Sequence, residues 1–344
     1  MSRVFRLLKG TVIAVLCLVL AGAAYQAMAT RADARGLPAP GRLVVVQQHR
    51  MHIDCAGAGS PTVLLEAGLG EHSAAWAWVK ADVAMFTRVC AYDRAGYGWS
   101  DDVAGPRTAA LMATELHDLL AASGESGPYV LAPHSFGSFV ARVFAGRYPG
   151  EVAGAVFADV SHPAQFSTGC DPACLPAQTL DNSRTLYRLT TLLAPIGAVR
   201  VASQVGLLPF GAVAASLPER EAHKVTADLS TTQYWVSSRR EFIDLLESAN
   251  QAVRAGSLGS KPLHVVTAGN TYRTPELKAF IGGADPETVT ANWLTLQRDL
   301  LRLSTQSRHT VVSDATHVSL IADRRYAPSV VHAIEGVVAG TRQK

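Results

Sequence analysis

The chain has 344 residues, of which 48% are hydrophobic and 17% are charged, enough apolar side chains for one large domain with a buried core. Its formal net charge of +3 equals the charge of Arg3, Arg6 and Lys9, so the rest of the chain has equal numbers of basic and acidic residues. A chain with balanced charge beyond its first nine residues lacks the basic surface that binds nucleic acid, which excludes a nucleic-acid-binding protein.

The N-terminal segment is predicted to be either a signal peptide or a membrane anchor. A basic stretch over residues 1–9 precedes an apolar stretch over residues 11–24, and Ala27 and Ala29 suit cleavage by a signal peptidase. Residues 11–29 are also long enough to cross a bilayer without cleavage, which would attach the protein to a membrane. In either case the basic end stays in the cytoplasm and the body is exported, as a periplasmic, secreted or membrane-anchored protein.

The rest of the chain alternates apolar strands with helices. Strands are predicted at residues 43–46, 52–55, 62–66, 89–92, 129–132, 155–158, 263–266 and 309–312, and helices at residues 74–85, 108–123, 139–148, 288–305 and 327–338. This alternation predicts an α/β fold with a mostly parallel, eight-stranded sheet covered by helices on both faces.

The alternation is interrupted after the sixth strand. Helices are predicted there at residues 183–193, 219–228 and 232–254, with no strong strand between them. The sequence therefore predicts a helical cap inserted over the strand ends. The predicted division is a targeting segment at 1–30, a linker at 31–41, a core at 42–162 and 260–344, and the cap at 163–259.

The most informative stretch joins the fifth strand to the helix after it. Only the residues from Pro133 to Gly137, with the sequence Pro-His-Ser-Phe-Gly, separate the two elements. A serine at the apex of so tight a turn, Ser135, exposes its hydroxyl beyond the sheet, and the N–H groups of the helix start behind it can bind an anion. The geometry is that of a nucleophile elbow, whose usual pattern is Gly-x-Ser-x-Gly.

With these motifs, residues 42–340 resemble an α/β-hydrolase with a cap after strand six. Relatives carry a catalytic triad in the chain order nucleophile, acid, base. Ser135 matches the nucleophile, and His317 is the only histidine between the eighth strand and the final helix. The resemblance implies that these two side chains, distant in sequence, meet at one edge of the sheet.

The resemblance leaves two candidates for the acid. In most relatives it follows strand seven, but residues 267–272 contain no carboxylate here. Other relatives take it from the end of strand six, where Asp159 stands, and we therefore favour Asp159. Asp285, in the long loop after strand seven, is the alternative.

The resemblance also implies an oxyanion hole formed by backbone N–H groups. Phe136 follows the nucleophile and would supply one of them, and Leu69, after strand three, would supply the other. Gly68 and Gly70 flank Leu69 and permit a sharp turn there. One residue departs from the family pattern, because Pro133 replaces the first glycine of the elbow and removes a backbone donor.

Together these residues predict a serine hydrolase that cleaves a carboxylic ester through an acyl-enzyme, with no cofactor and no metal. The partner is a small-molecule ester or acyl substrate, whose identity the sequence leaves open together with the oligomeric state. A proline-iminopeptidase-like peptidase or a lactonase is the alternative within the class. A binding protein that uses the same fold without catalysis, its elbow disabled by Pro133, is the alternative outside it.

Two further sets of residues carry structural expectations. Cys55 and Cys90 could pair or lie buried, and Cys170 and Cys174 could pair within a loop. The cap aromatics, namely Tyr234, Trp235 and Phe242, are predicted to pack in a core rather than to bind substrate. By resemblance, Arg94, Tyr97 and Trp99 are predicted to brace the site.

Overall fold

The computed structural model describes residues 3–166, 177–208, 214–273, 281 and 284–342. Its centre is an eight-stranded sheet. The strands are β1 (Arg42–Val46), β2 (His49–Ala56), β3 (Thr62–Glu66), β4 (Val89–Tyr92), β5 (Tyr129–Pro133), β6 (Val152–Ala158), β7 (Leu263–Ala268) and β8 (Ser307–Val312). Each predicted strand is present, with ends that differ by at most a few residues.

The sheet is mostly parallel. Its strand order is β1-β2-β4-β3-β5-β6-β7-β8; β2 runs antiparallel to both of its neighbours, and every other pair is parallel. All residues of β3, β4 and β5 are buried, because helices cover the parallel strands on both faces. The predicted fold class is confirmed.

The helices of the core form one layer on each face. They are α2 (Ala77–Val83), α3 (Ala109–Ser123), α4 (Gly137–Arg147), α10 (Pro286–Asp299), α11 (Ser319–Ala322) and α12 (Ala327–Arg342). One layer packs α2, α11 and α12 together, and the other pairs α3 with α4. The predicted helix at 288–305 is shorter than expected, because after Asp299 the chain tightens into a 3₁₀ turn, Leu300–Leu303.

Between β6 and β7 the described chain is helical. The helices are α5 (Ala177–Leu193), α6 (Ala198–Gln204), α7 (Glu219–Leu229), α8 (Thr232–Ile243) and α9 (Leu245–Arg254). The single helix predicted at 232–254 is wrong, because the chain breaks at Asp244. The carboxylate of Asp244 accepts a hydrogen bond from the backbone N–H of Arg107 in the core, which fixes this junction against the body.

The N-terminal helix α1 (Arg3–Gly36) is one continuous element of 34 residues. It is, of the described residues, the one helix long and apolar enough to cross a membrane, with an apolar window of mean hydropathy 2.2. The predicted linker at 31–41 is wrong in its first half. Residues 31–35 contain helix-forming Arg and Ala, and the helix stops only at Gly36, before Pro38.

Cys55 and Cys90 form a disulfide. They lie directly opposite each other in the antiparallel pair of β2 and β4, where facing side chains are close enough to bond. This resolves the alternatives of pairing and burial for these two residues. Cys170 and Cys174 lie outside the described residues.

Candidate active site

Ser135 occupies the turn between β5 and α4 with a left-handed backbone. Its φ is +51°, and φ at Asp159, the residue after β6, is +44°. Such values are uncommon for residues other than glycine and cost of order 1–3 kcal/mol each, so they persist only where the surroundings impose them. Two strained residues at the carboxyl ends of neighbouring strands mark this edge of the sheet as a candidate site.

Pro133 removes no hydrogen bond between β3 and β5. It pairs with Glu66 of β3, but the hydrogen bond at this pair is donated by the N–H of His134 to the carbonyl of Glu66, at 2.9 Å. Regular pairing between β5 and β6 ends earlier, at Leu131. The missing N–H of proline therefore falls where the strand already ends, and the departure from the family pattern leaves the turn intact.

The elbow packs tightly on the end of β3. A Cβ atom added to Gly137 would lie 2.7 Å from the Cγ of Glu66 and 2.8 Å from the carbonyl oxygen of Ala67. A Cβ atom on Gly68 would lie 3.0 Å from the Cβ of Ser135. Glycine at these two positions lets the helix start and the β3 loop approach each other closely.

The structure brings Ser135, His317 and Asp159 into one hydrogen-bonded row. The Oγ atom of Ser135 lies 2.9 Å from Nε2 of His317, and Nδ1 of His317 lies 2.7 Å from Oδ2 of Asp159. An ionised carboxylate only accepts hydrogen bonds, so Nδ1 carries the proton. The lone pair of Nε2 then faces the hydroxyl of Ser135, which is the arrangement that general-base catalysis requires.

Asp159 is fully buried and held by donors from three elements. Its Oδ1 accepts from the N–H of Ala268 at 3.0 Å and from Nε1 of Trp293 at 2.8 Å, and its Oδ2 accepts from the hydroxyl of Thr271 at 3.0 Å. Ala268 and Thr271 belong to β7 and the loop after it. The end of β7, where most relatives carry the acid, here supplies donors to a carboxylate that follows β6. The sequence analysis missed Thr271 and Trp293, which carry no motif.

Asp285 does not join this row. It is exposed and caps the N-terminus of α10, where its Oδ2 accepts hydrogen bonds from the N–H and the hydroxyl of Thr288, at 2.9 and 2.7 Å. Aspartate is favoured at this position because it satisfies a free N–H of the first helical turn. Of the two candidates for the acid, the structure places only Asp159 against the imidazole.

Two backbone N–H groups point to an oxyanion hole. Leu69 and Phe136 both line the cavity in front of Ser135, and none of the described residues accepts a hydrogen bond from either N–H. Buried N–H groups are seldom left without a partner. Their availability beside the hydroxyl suits a ligand oxygen that carries negative charge.

The buried Arg94 braces the turn before Leu69. Its guanidinium donates to the carbonyls of Ala67 and Gly68, at 2.6 and 2.7 Å, and forms ion pairs with Glu66 of β3 and Glu241 of α8. Since Glu241 belongs to the cap, a single cation connects the sheet, the candidate oxyanion loop and the cap.

A second buried ion pair, between His134 and Glu71, lies beside the row. Nδ1 of His134 is 2.8 Å from Oε2 of Glu71, and Nε2 is 2.9 Å from the backbone carbonyl oxygen of His317. Both partners are acceptors, so both ring nitrogens carry protons and the ring is an imidazolium. The same Glu71 oxygen accepts from the N–H of Gly68 at 2.8 Å. The pair therefore ties together the three loops that carry Leu69, Ser135 and His317.

The pKa values of this pair shift towards the charged forms. Burial opposes charge on both groups, but the attraction between them and their hydrogen bond outweigh it. The pKa of the Glu71 carboxyl is lowered to about 2, and the pKa of His134 is raised. Both groups are therefore charged at mildly acidic pH.

Substituting Glu71→Gln is expected to lower the free energy of unfolding by about 1.5–3 kcal/mol, the contribution of a hydrogen bond to a charged group. Because the pKa of His134 is raised in the folded protein, its protonation stabilises the fold. This contribution is fully present below pH 6.5, the pKa of an ordinary histidine, and is lost as the pH rises through the pKa of His134 in the folded protein. The lowered pKa of Glu71 gives stability that is complete above 4.5 and is lost as pH falls towards about 2.

The loss in free energy of unfolding caused by Glu71→Gln should thus be largest between pH 4.5 and 6.5. Urea unfolding at a series of pH values measures it. Glu247→Gln is the matched control, because this exposed glutamate pairs with Arg254 at the surface and its loss should cost well under about 1 kcal/mol. A deficit that does not change with pH would contradict the charged state of the pair.

The row opens into a cavity of about 370 Å³ between the sheet edge and the cap. Most of its wall is apolar, formed by Leu69, Ala75, Leu180, Leu186, Tyr187, Val225, Leu229, Tyr234, Trp235, Phe242, Leu245 and Val318. Trp235 packs in a small cap cluster, as predicted, yet it lines the cavity together with Tyr234 and Phe242. These cap aromatics therefore contribute to the cavity wall as well as to packing.

The sheet order and the turn from β5 into α4 define a protein with the α/β-hydrolase fold. The family model for the alpha/beta hydrolase fold matches residues 61–187. Among solved structures, an epoxide hydrolase from Bacillus megaterium is similar with a TM-score of 0.63 and 13% identity, over 87% of this chain and 100% of that one. The enol-lactonase from Burkholderia xenovorans has a TM-score of 0.58 and 16% identity over the same shares. Residues 61–187 thus match the α/β-hydrolase family model, and the solved structures show that the chain has the α/β-hydrolase fold.

Sequence relatives extend the likeness beyond the family model. An uncharacterized protein of Schizosaccharomyces pombe is 28% identical over 336 residues, which cover 85% of this chain and 55% of that protein. A second uncharacterized protein, YbdG of Bacillus subtilis, is 29% identical over 40% of this chain and 42% of its own length. The chain thus spans about half the length of the curated relatives that it matches, and these relatives carry no assigned activity.

Proposed function

We propose that the protein is a serine hydrolase that cleaves carboxylic esters through an acyl-enzyme. The observation that carries the proposal is the row Ser135–His317–Asp159, with spacings of 2.9 and 2.7 Å. A serine hydroxyl is a weak nucleophile unless a base removes its proton, and Nε2 of His317 is within reach to do so. Serine at the elbow also argues against epoxide hydrolase or dehalogenase chemistry, which in relatives uses aspartate there.

In the proposed reaction, Oγ of Ser135 attacks the carbonyl carbon of the ester while its proton passes to Nε2 of His317. The tetrahedral intermediate collapses as the C–O bond to the alcohol breaks, and His317 returns the proton to the leaving oxygen. Water then attacks the acyl-enzyme by the same route and releases the acid. Asp159 holds the imidazole in the required tautomer and stabilises the imidazolium.

The negative oxygen of the intermediate would be bound by the N–H groups of Leu69 and Phe136. Each such donor contributes about 3 kcal/mol to lowering the barrier in comparable enzymes. The support here is that both groups lack protein acceptors among the described residues while Arg94 fixes the turn before Leu69. Pro133, which costs the β3–β5 ladder no bond, gives no reason to treat the elbow as disabled.

The cavity wall favours an uncharged, apolar ester over a peptide with a free amino terminus. A peptidase of the proline-iminopeptidase type must hold an ammonium group, which calls for an available carboxylate. Of the described residues that line the cavity, Glu71 alone has one, and it is committed to His134 and the N–H of Gly68. The aliphatic and aromatic cap residues instead suit an acyl chain.

The test is a series of p-nitrophenyl esters from acetate to laurate, measured beside proline p-nitroanilide and a γ-lactone. We expect kcat/KM to rise with acyl length until the cavity is filled, with little or no release from the anilide. Faster cleavage of the lactone than of every ester would move the function to a lactonase. Absence of all turnover in folded protein would favour the binding protein without catalysis.

A further inference from the structure

The C-terminal half of α1 is built into the cap. Gly22 lies against the turn Ala194–Ile196, and a Cβ atom on Gly22 would clash with the carbonyl oxygen of Ile196. Across the same contact, a Cβ on Gly197 would lie 3.0 Å from the carbonyl oxygen of Gly22. Glycine on both sides permits this backbone-to-backbone approach, as it does between packed helices.

A buried polar network secures the same contact. Gln26 is only 4% exposed; its Nε2 donates to the carbonyl of Ser230 at 2.6 Å, and its Oε1 accepts from the buried Arg200 at 3.0 Å. Arg200 also pairs with Asp33 at 2.8 Å and donates to the hydroxyl of Thr30. Cleavage after Ala29 would remove Gln26 and leave part of a buried guanidinium without its acceptor, which is costly.

The other half of α1 fits a bilayer. Residues 4–21 are all exposed, and at 1.5 Å per residue they span about 27 Å, close to the thickness of the hydrocarbon core. Arg6 and Lys9 lie at the cytoplasmic end of this span, where long basic side chains reach the headgroups. The contact with the cap begins at Gly22, directly after this span. A cap joined to α1 at that point therefore lies at the surface of the membrane.

The cap surface next to α1 is itself apolar. Its exposed large side chains lie at the end of α5, on α6 and directly after α6, on either side of the turn that holds Gly22: Leu189, Leu192, Leu193, Val201, Val205 and Leu207. Exposed apolar side chains grouped in this way mark an interaction surface. Other residues of α5, namely Leu180, Leu186 and Tyr187, line the cavity.

We propose that α1 is retained as an anchor and that the cap surface formed by Leu189, Leu192, Leu193, Val201, Val205 and Leu207 rests in the lipid headgroup region of the membrane that α1 crosses. In such a position apolar side chains enter the boundary between headgroups and acyl chains. One helix, α5, then separates the lipid from the cavity. If the proposed function holds, on which this last step rests, the substrate is an ester that partitions into the membrane.

The position of the cap can be tested without any activity. The full chain is reconstituted in phosphatidylcholine vesicles with a photoreactive p-benzoylphenylalanine at position 205, at position 13 within the span, or at position 111 on the core helix α3, where Leu111 is also exposed. We expect lipid adducts at positions 205 and 13 and none at 111. Adducts at 13 without adducts at 205 would overturn the proposal, and so would an intact mass showing that the protein purified from the cells that produce it begins at Thr30.

The substrate step is tested by the paired variant Leu192→Glu with Val205→Glu. Hydrolysis of p-nitrophenyl acetate in solution should stay unchanged, while hydrolysis of p-nitrophenyl palmitate held in the vesicles should fall roughly tenfold, since two apolar contacts with lipid are lost. The control pair, Leu111→Glu with Val253→Glu, should alter neither rate. Equal vesicle rates for both pairs would refute a membrane route, whereas adducts at 205 in a protein that cleaves no ester would refute only the proposed function.

Discussion

Replacing Ser135 with alanine is expected to lower kcat/KM for p-nitrophenyl esters by about 10⁴–10⁶-fold. The alanine has no oxygen to form the acyl-enzyme, so His317 and the oxyanion donors have no nucleophile to act with. The substitution removes one hydroxyl and leaves the left-handed turn at φ +51° with a residue of nearly the same size. Circular dichroism and the unfolding temperature should therefore match those of the wild type, and labelling by a fluorophosphonate probe should disappear.

Ser183→Ala is the matched control. Ser183 lines the same cavity, but its hydroxyl donates to the carbonyl of Thr179 within α5, at 2.9 Å, and it has no contact with the imidazole. We expect this variant to keep both turnover and labelling. A Ser135→Ala protein that still reacts with the probe would show that another group is the nucleophile, and the proposed mechanism would be wrong.

The sheet and the elbow could be predicted from the sequence because both depend on local patterns. Short apolar runs bounded by turn residues mark each strand, and the five residues around Ser135 lie between a strand and a helix with no room for another conformation. His317 followed from the resemblance, which implies a histidine after the last strand, because it is the only histidine between the eighth strand and the final helix. These inferences need no knowledge of which side chains meet across the fold.

The environment of the row could not be predicted in this way. His134 and Glu71 are 63 residues apart, and each has an ordinary structural explanation when taken alone, so only coordinates reveal the buried pair. The same holds for Gln26 and Arg200. The apolar stretch of α1 indicates a targeting helix, and nothing in that pattern predicts a polar contact with the cap. Pairs of this kind depend on packing between distant elements, which periodicity does not report.

The last prediction concerns the acid, where the sequence left a choice. Asp159→Asn is expected to lower kcat by about 10⁴-fold, because the amide favours the wrong tautomer of His317 and cannot balance the charge of the imidazolium. Asp285→Asn should leave kcat unchanged, since Asp285 caps α10 and its substitution by asparagine preserves a good N-cap. The single-turnover rate of acylation with p-nitrophenyl butyrate measures the effect in both variants.

Folding must be checked for Asp159→Asn, because the buried carboxylate also accepts from Ala268, Thr271 and Trp293. Trp293→Phe serves as its structural control: it removes one of the two donors to Oδ1 and leaves the contact between Oδ2 and His317. If acylation fails as severely in Trp293→Phe as in Asp159→Asn, the carboxylate acts through the fold rather than through the imidazole. Loss of turnover in Asp285→Asn alone would transfer the acid to Asp285 and require a rearrangement of the loop after β7.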